Sequence, residues 1–185
     1  MDESFQRLYE KYHQDIFQFL FYMVKDRELA EDLMQEVYIK VLKSYSNFEG
    51  RSSEKTWLFS IARHVAIDYF RKQKTLRQRI LEKLELEQVR IVDKDPLPEE
   101  IAEQKEDIQL LYKALQHCNL NQRSVLILRF LKDLSVSETA EVLGWTESKV
   151  KTTQHRALKA LRAYLEKVKR EQEVNTTHEK LSVER

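Results

Sequence analysis

The chain has 185 residues, 34% of them charged, yet a net charge of only +1, with two Gly, two Pro and a single Cys. That length suits one large or two small domains; few Gly and Pro exclude sheets joined by tight hairpins, the lone Cys118 excludes an intrachain disulfide, and no apolar run approaches the ~18 residues of a membrane span. Abundant Leu, Glu, Lys, Gln and Arg favour helix, so the expectation is an all-α protein of two small domains.

The near-neutral total hides two basic blocks. Residues 51–80 carry eight basic and two acidic side chains, and residues 146–170 carry the same numbers, while residues 81–110 hold ten acidic against four basic. A nucleic-acid partner is therefore compatible with the charge once its distribution is counted. The acidic, amphipathic start MDESFQRLYE is unlike a signal sequence, which predicts a cytoplasmic protein.

In chain order, Phe5, Leu8, Tyr9, Tyr12, Ile16, Phe19, Leu20 and Met23 follow helical spacing and predict a first helix whose aromatic stripe is core. In residues 26–50, Leu33, Val37, Val41 and Leu42 are expected to face that helix. Glu31, Asp32, Gln35, Glu36 and Ile39 then form a mainly acidic outer face for protein docking or for solvent, since no His or Cys stands at ligand spacing. After Gly50, residues 51–57 read as a short polar loop, and a third helix is expected from Trp57 with Leu58, Ile61, Ala62, Val65 and Tyr69 inward. Arg63, His64, Asp68, Arg71, Lys72 and Lys74 lie off that stripe among Trp57, Phe59 and Phe70. Cations interleaved with rings suit single-stranded nucleic acid, where phosphates are neutralised and bases stack; Phe70 fits a small core equally well.

Residues 76–104, acid-rich and broken by Pro96 and Pro98, read as a flexible linker. Two more helices follow from Ile108, Leu111 and Leu115, then from Leu120, Val125, Leu126, Leu128 and Leu131. His117 beside Cys118 lacks the second ligand pair of a metal site. Residues 134–162 then read as a helix-turn-helix. Ser135 and Glu138 form a capping box, Val136, Ala140 and Leu143 face inward, Gly144 ends the helix, Trp145 fills the corner and Thr146 caps the next helix. In that second helix Val150, Ala157, Leu158, Leu161 and Leu165 are placed inward. Lys149, Lys151, Thr152, His155, Arg156, Lys159 and Arg162 point outward, a set of phosphate-neutralising charges and short donors suited to a major groove. The polar tail, residues 171–185, is expected to be disordered.

Three stretches in order, AEDLMQEVYIKVL, FEGRSSEKTWLFSIARHVAIDYFRK and LNQRSVLILRFLKDLSVSETAEVLGWTESKVKTTQHRALKALR, resemble the polymerase-binding helix, the promoter-melting segment and the helix-turn-helix of the extracytoplasmic-function sigma factors. The resemblance implies a non-enzymatic promoter-recognition subunit without cofactor, metal or small-molecule substrate. Its partners would be bacterial core RNA polymerase, promoter DNA as duplex and melted strand, and an anti-sigma protein, often membrane-anchored. Residues 1–75 would grip a coiled coil of the polymerase's largest subunit through Glu31, Asp32, Gln35, Glu36 and Ile39. They would also open the minus-ten element at a pocket formed by residues 48–56, with Phe48, Lys55, Trp57, Arg63, His64, Asp68, Arg71 and Lys72 as contacts.

Residues 76–104 would lie in the RNA path. Residues 105–170 would read the minus-thirty-five element through Lys149, Lys151, Thr152, His155, Arg156 and Lys159. His64, where the family commonly has asparagine, and Thr153 and Gln154, where it commonly has a basic and an apolar residue, bear on promoter choice. Two other readings of the residues are a stand-alone helix-turn-helix repressor or activator and a small DNA-processing enzyme. The first leaves the basic-aromatic segment without a role, and the second lacks a nucleophile or metal-binding cluster.

Overall fold

A computed structural model describes residues 3–83, 99–103 and 105–183, and among them every regular element is helical. Three helices build the first unit: α1 (Glu3–Val24), α2 (Arg27–Ser44) and α3 (Glu54–Lys83). A short α4 (Glu99–Ala102) leads into the second, formed by α5 (Glu106–Gln116), α6 (Leu120–Leu126), a π-helical turn at Ile127–Leu131, α7 (Val136–Leu143) and α8 (Glu147–Val183). Of the stretch 76–104 read as a linker, residues 76–83 continue α3 and 99–102 form α4, while 84–98, with Pro96 and Pro98, and 104 lie outside the described residues.

Local chemistry accounts for the helix starts. Asp26 accepts the Leu29 amide at 2.9 Å to cap α2, and Asn119 with Gln122 forms a capping box on α6. Ser53 accepts the Thr56 amide at 3.0 Å, so α3 begins at Glu54, three residues before the start expected at Trp57. The expected stripes are largely inward: Leu8, Ile16, Phe19, Leu20 and Met23 of α1 meet Leu33, Val37 and Val41 of α2 and Leu58, Ala62 and Val65 of α3.

Four placements differ from expectation. Phe59 is fully buried edge-on to Phe19, at 5.5 Å between ring centroids, and belongs to the core and not to a strand-binding face. Leu42 is 54% exposed, because Val41 and Tyr38 already fill the inward arc of α2. Leu158 and Leu165 are also exposed, since Val150 and Ala157 make the buried seam of α8. Finally, α8 carries helical backbone through Val183 where polarity suggested disorder; Lys167 with Glu171 and Arg170 with Glu166 are spaced to support a helix one turn apart.

The two units share one hydrophobic core, with Val125, Ile127, Leu128, Leu134 and Ala140 joining the side chains of α1 to α3. Tyr112 of α5 packs near Phe21 and Tyr22 of α1 at about 6 Å. At the junction lies Arg123, 7% exposed. Its guanidinium donates to the Leu115, Gln116 and Cys118 carbonyls at the end of α5 and to the Met23 carbonyl at the end of α1, the last at 2.8 Å. Both groups of acceptors sit at helix C-termini, where the last carbonyls and the helix dipole favour a cation. Replacing Arg123 with Leu strands those carbonyls; we expect a loss of about 2–4 kcal/mol in urea unfolding, and a change within about 0.5 kcal/mol would contradict this role.

Candidate nucleic-acid interface

On α2 the outward face carries Asp32, Gln35 and Ile39, with Ile39 51% exposed and Leu42 extending the same face by a turn. Glu31 pairs with Arg27 at 2.9 Å and Glu36 with Lys40 at 3.5 Å, both within the helix. These five predicted residues are thus gathered on one surface, where acid and amide groups surround an exposed apolar pair. That is a protein-docking composition, and it has no metal-like cluster of carboxylates among the described residues.

From α2 the chain makes a 3₁₀ turn at Tyr45–Asn47 and a loop in which Gly50 takes φ 67°, a left-handed conformation that a Cβ disfavours. The loop folds Phe48 against Trp57, with ring centroids 4.7 Å apart, and Tyr45 flanks the tryptophan at 6.1 Å. Beside these rings lies a shallow, open depression of about 330 Å³ lined by Asn47, Phe48, Glu49, Arg51, Ser52 and Trp57. Its volume falls at the lower end of small-molecule clefts, about 300–1,000 Å³. Its walls combine flat apolar rings with an amide, a hydroxyl and the Glu49–Arg51 ion pair at 2.6 Å. Such a lining can stack a planar heterocycle and hydrogen-bond its edge.

The remaining residues expected to meet a melted strand follow along α3. His64 is exposed and its Nδ1 donates to the Ser60 carbonyl at 2.6 Å, which leaves Nε2 toward solvent. Arg71, exposed, pairs with Asp68 at 3.0 Å, and Lys72 is exposed beside it. Arg63 is half-buried with no hydrogen bond to Nε, and burial pushes its guanidinium below the usual arginine pKa. Lys55, also of the predicted set, has a partner in the second unit: its Nζ donates to the Lys132 carbonyl at 2.6 Å.

In the second unit the predicted motif is present in detail. Ser135 Oγ accepts the Glu138 amide at 3.1 Å and Glu138 Oε2 accepts the Ser135 amide at 2.7 Å. Gly144, at φ 64°, closes α7 with the Gly144 amide on the Glu141 carbonyl and the Trp145 amide on the Ala140 carbonyl, the paired bonds of a Schellman turn. Trp145 fills the corner, Lys149 Nζ sits 4.2 Å from its ring centroid, and Thr146 Oγ1 caps α8 by accepting the Lys149 amide. Val150 and Ala157 are fully buried, which fixes the rotation of α8 and leaves Lys149, Lys151, Thr152, His155, Arg156 and Lys159 all exposed on the opposite side.

Sequence reasoning missed one support of this helix. Arg129 donates through Nε to Gln154 Oε1 at 3.1 Å and through a terminal nitrogen to the Leu134 carbonyl, tying α8 to the π turn and the start of α7. Gln154 is therefore half-buried and engaged with Arg129, apart from the exposed basic face of α8. Twenty-five residues separate the pair, and no local pattern marks it.

The comparisons with known proteins agree with this arrangement. Residues 8–75 match the Sigma-70 region 2 family and residues 108–161 match Sigma-70, region 4. The chain is 58% identical over 171 residues to the ECF RNA polymerase sigma factor SigX of Bacillus subtilis (strain 168), covering 92% of this chain and 88% of that protein. The chain belongs to the extracytoplasmic-function sigma factors.

A second relative of this sigma factor, RNA polymerase sigma factor YlaC of the same organism, is 34% identical over 93% of this chain and 98% of its own length. The sigma factor RpoE of Bartonella quintana, crystallised with the anti-sigma factor NepR, shares the fold at a TM-score of 0.68 and 24% identity, with 89% of this chain and 98% of that chain covered. Region 2 thus spans the docking face and the aromatic cavity, and region 4 spans the helix-turn-helix.

The capping box of this sigma factor has a pH signature. The Ser135 amide, and next its hydroxyl, hold the Glu138 carboxyl below its ordinary 4.5. A lowered native pKa means the box stabilises the fold above the ordinary glutamate value and loses that contribution as pH falls through the lowered one. Glu138→Gln should therefore flatten stability over that acid window, with the difference from the parent largest near neutrality in pH-dependent thermal unfolding. Parallel profiles across the window would contradict it.

Proposed function

We propose that this sigma factor docks on a coiled coil of the polymerase's largest subunit with the outer face of α2, captures a melted minus-ten base in the cavity beside Phe48 and Trp57, and reads the minus-thirty-five duplex with the first turns of α8. The observation that carries this reading is that one chain holds two surfaces of different kinds, each with a composition suited to nucleic acid. One is an aromatic cavity suited to an unstacked base, and the other is an exposed cationic helix suited to a major groove. A stand-alone repressor has use for the second alone.

The mechanism is capture. Extruding a base costs a few kcal/mol, and stacking returns roughly 1–3 kcal/mol per base, so the cavity traps a spontaneous opening and the polymerase supplies the rest. Arg71, Lys72 and His64 line the path along α3 on which the displaced strand's phosphates would lie. An anti-sigma protein is the proposed second partner, supported by the anti-sigma complex in which the similarly folded RpoE of Bartonella quintana was crystallised.

Run-off transcription with sigma-free bacterial core polymerase on a pool of promoter fragments tests the whole reading, with discrete starts expected only when the chain is added. Arg156→Ala should weaken recognition of the minus-thirty-five element by about 1–3 kcal/mol while polymerase binding is kept, and Gln35→Ala with Glu36→Ala should do the reverse. Trp57→Ala should reduce open complexes while leaving duplex binding intact. Equal loss of both activities in either of the first two variants, with folding retained, would show the faces to be wrongly assigned.

A further inference from the structure

We propose that the free subunit is held closed by a latch centred on Lys132, and that closure withholds Lys55 from the melted promoter strand. The inference rests on the reading of Lys55 as a minus-ten contact. Lys132 follows the π turn of the second unit, and its side chain is 3% exposed. Its ammonium reaches Asp15 Oδ1 at 2.7 Å and Gln18 Oε1 at 2.5 Å, both on α1 of the first unit. In the opposite direction Lys55, near the start of α3, donates to the main-chain oxygen of the same residue.

One residue therefore accepts from one helix of the first unit and donates to another. Any movement that parts α1 from the π turn removes both side-chain partners of Lys132 and frees Lys55 together. A buried ammonium cannot be left unpaired, so the pair resists small separations and releases only when water enters. Arg123, the other polar joint, behaves differently: the Leu115, Gln116 and Cys118 carbonyls that accept from it lie within its own unit, and the Met23 carbonyl lies across the junction. Opening leaves it largely satisfied, which makes Lys132 the residue whose chemistry distinguishes closed from open.

Function demands such an opening. The minus-thirty-five and minus-ten elements lie about 25 base pairs apart, roughly 85 Å of duplex at about 3.4 Å per pair. A compact chain of this length has a radius of gyration of about 16 Å. With α1, α3, α6 and α7 sharing one core, the cavity beside Trp57 and the start of α8 cannot serve both elements at once. The closed form is a resting form, and the surfaces it joins separate on the promoter complex.

The test places dyes on cysteines introduced by Lys43→Cys and Lys113→Cys, both exposed positions on separate units, in a chain whose own Cys118 is buried. Energy transfer in the full-length free subunit is compared with that of Lys132→Met, which keeps the apolar stem, and of Asp15→Asn, which changes only a part-exposed group. Circular dichroism verifies folding. High transfer in the parent, lower transfer in both variants, and roughly two- to fivefold tighter binding of a fluorescent mixed-sequence single-stranded DNA are expected. Transfer already low in the parent, or unchanged in both variants, overturns the latch. Opening without tighter binding overturns the masking of Lys55. Lys55→Ala in the Lys132→Met background then separates the two premises: lost affinity upholds Lys55 as a strand contact, and unchanged affinity refutes that reading while the latch stands.

Discussion

The arrangement of the whole chain turns on one buried guanidinium. Arg123 collects the carbonyls that end α5 and the carbonyl that ends α1, so it closes the C-termini of two helices from different units with a single planar fork of donors. Carbonyls at the end of a helix have spare acceptor capacity and carry the negative end of its dipole, and the Leu115 carbonyl accepts the Cys118 amide as well. Without a cation there, burying the junction between α1, α5 and α6 would bury unsatisfied acceptors. With it, Tyr112 can pack toward Phe21 and Tyr22, and Val125, Ile127 and Leu128 can enter the core of the first unit.

From that junction outward, the structure separates rigid support from exposed chemistry. The helix-turn-helix is held by a capping box, a Schellman turn and the Arg129–Gln154 contact, and the six residues proposed to read the duplex project from a helix whose rotation Val150 and Ala157 have already fixed. The aromatic cavity follows the same logic: Ser53 caps α3, Gly50 turns the loop, and Phe48 is brought onto Trp57. In both places most of the groups suited to nucleic acid stay at the surface while neighbouring side chains satisfy the backbone, with Lys151 paired to Glu147 and Arg51 to Glu49. Sites built on supported elements keep their geometry when the units move relative to each other.

The polar residues between the units differ in how they tolerate such movement. Arg123 finds most of its acceptors at home, whereas Lys132 finds its side-chain partners only across the junction. In the proposed latch that asymmetry gives one joint most of whose described acceptors lie within its own unit and one whose side chain bonds across the junction.

Much of this was present in the linear order of residues. Helical periodicity placed α1, α2 and the inward stripe of α3, because a 3.6-residue repeat is local and is read directly from spacing. Ser135, Glu138, Gly144 and Thr146 announced the helix-turn-helix, because capping is satisfied within four residues and needs no distant partner. The exposed set on α8 and the acidic face of α2 followed from the same periodicity. What tertiary structure alone decided is everything satisfied at long range. Phe59 became core because Phe19 was there to receive its edge, and Leu42, Leu158 and Leu165 were left outside because other side chains filled the inward arc first. Lys55 was turned to a carbonyl 77 residues away, Arg123 to one 100 residues away and Lys132 to a carboxylate 117 residues away. A buried polar group takes whichever partner packing brings near, and spacing along the chain carries no record of that choice.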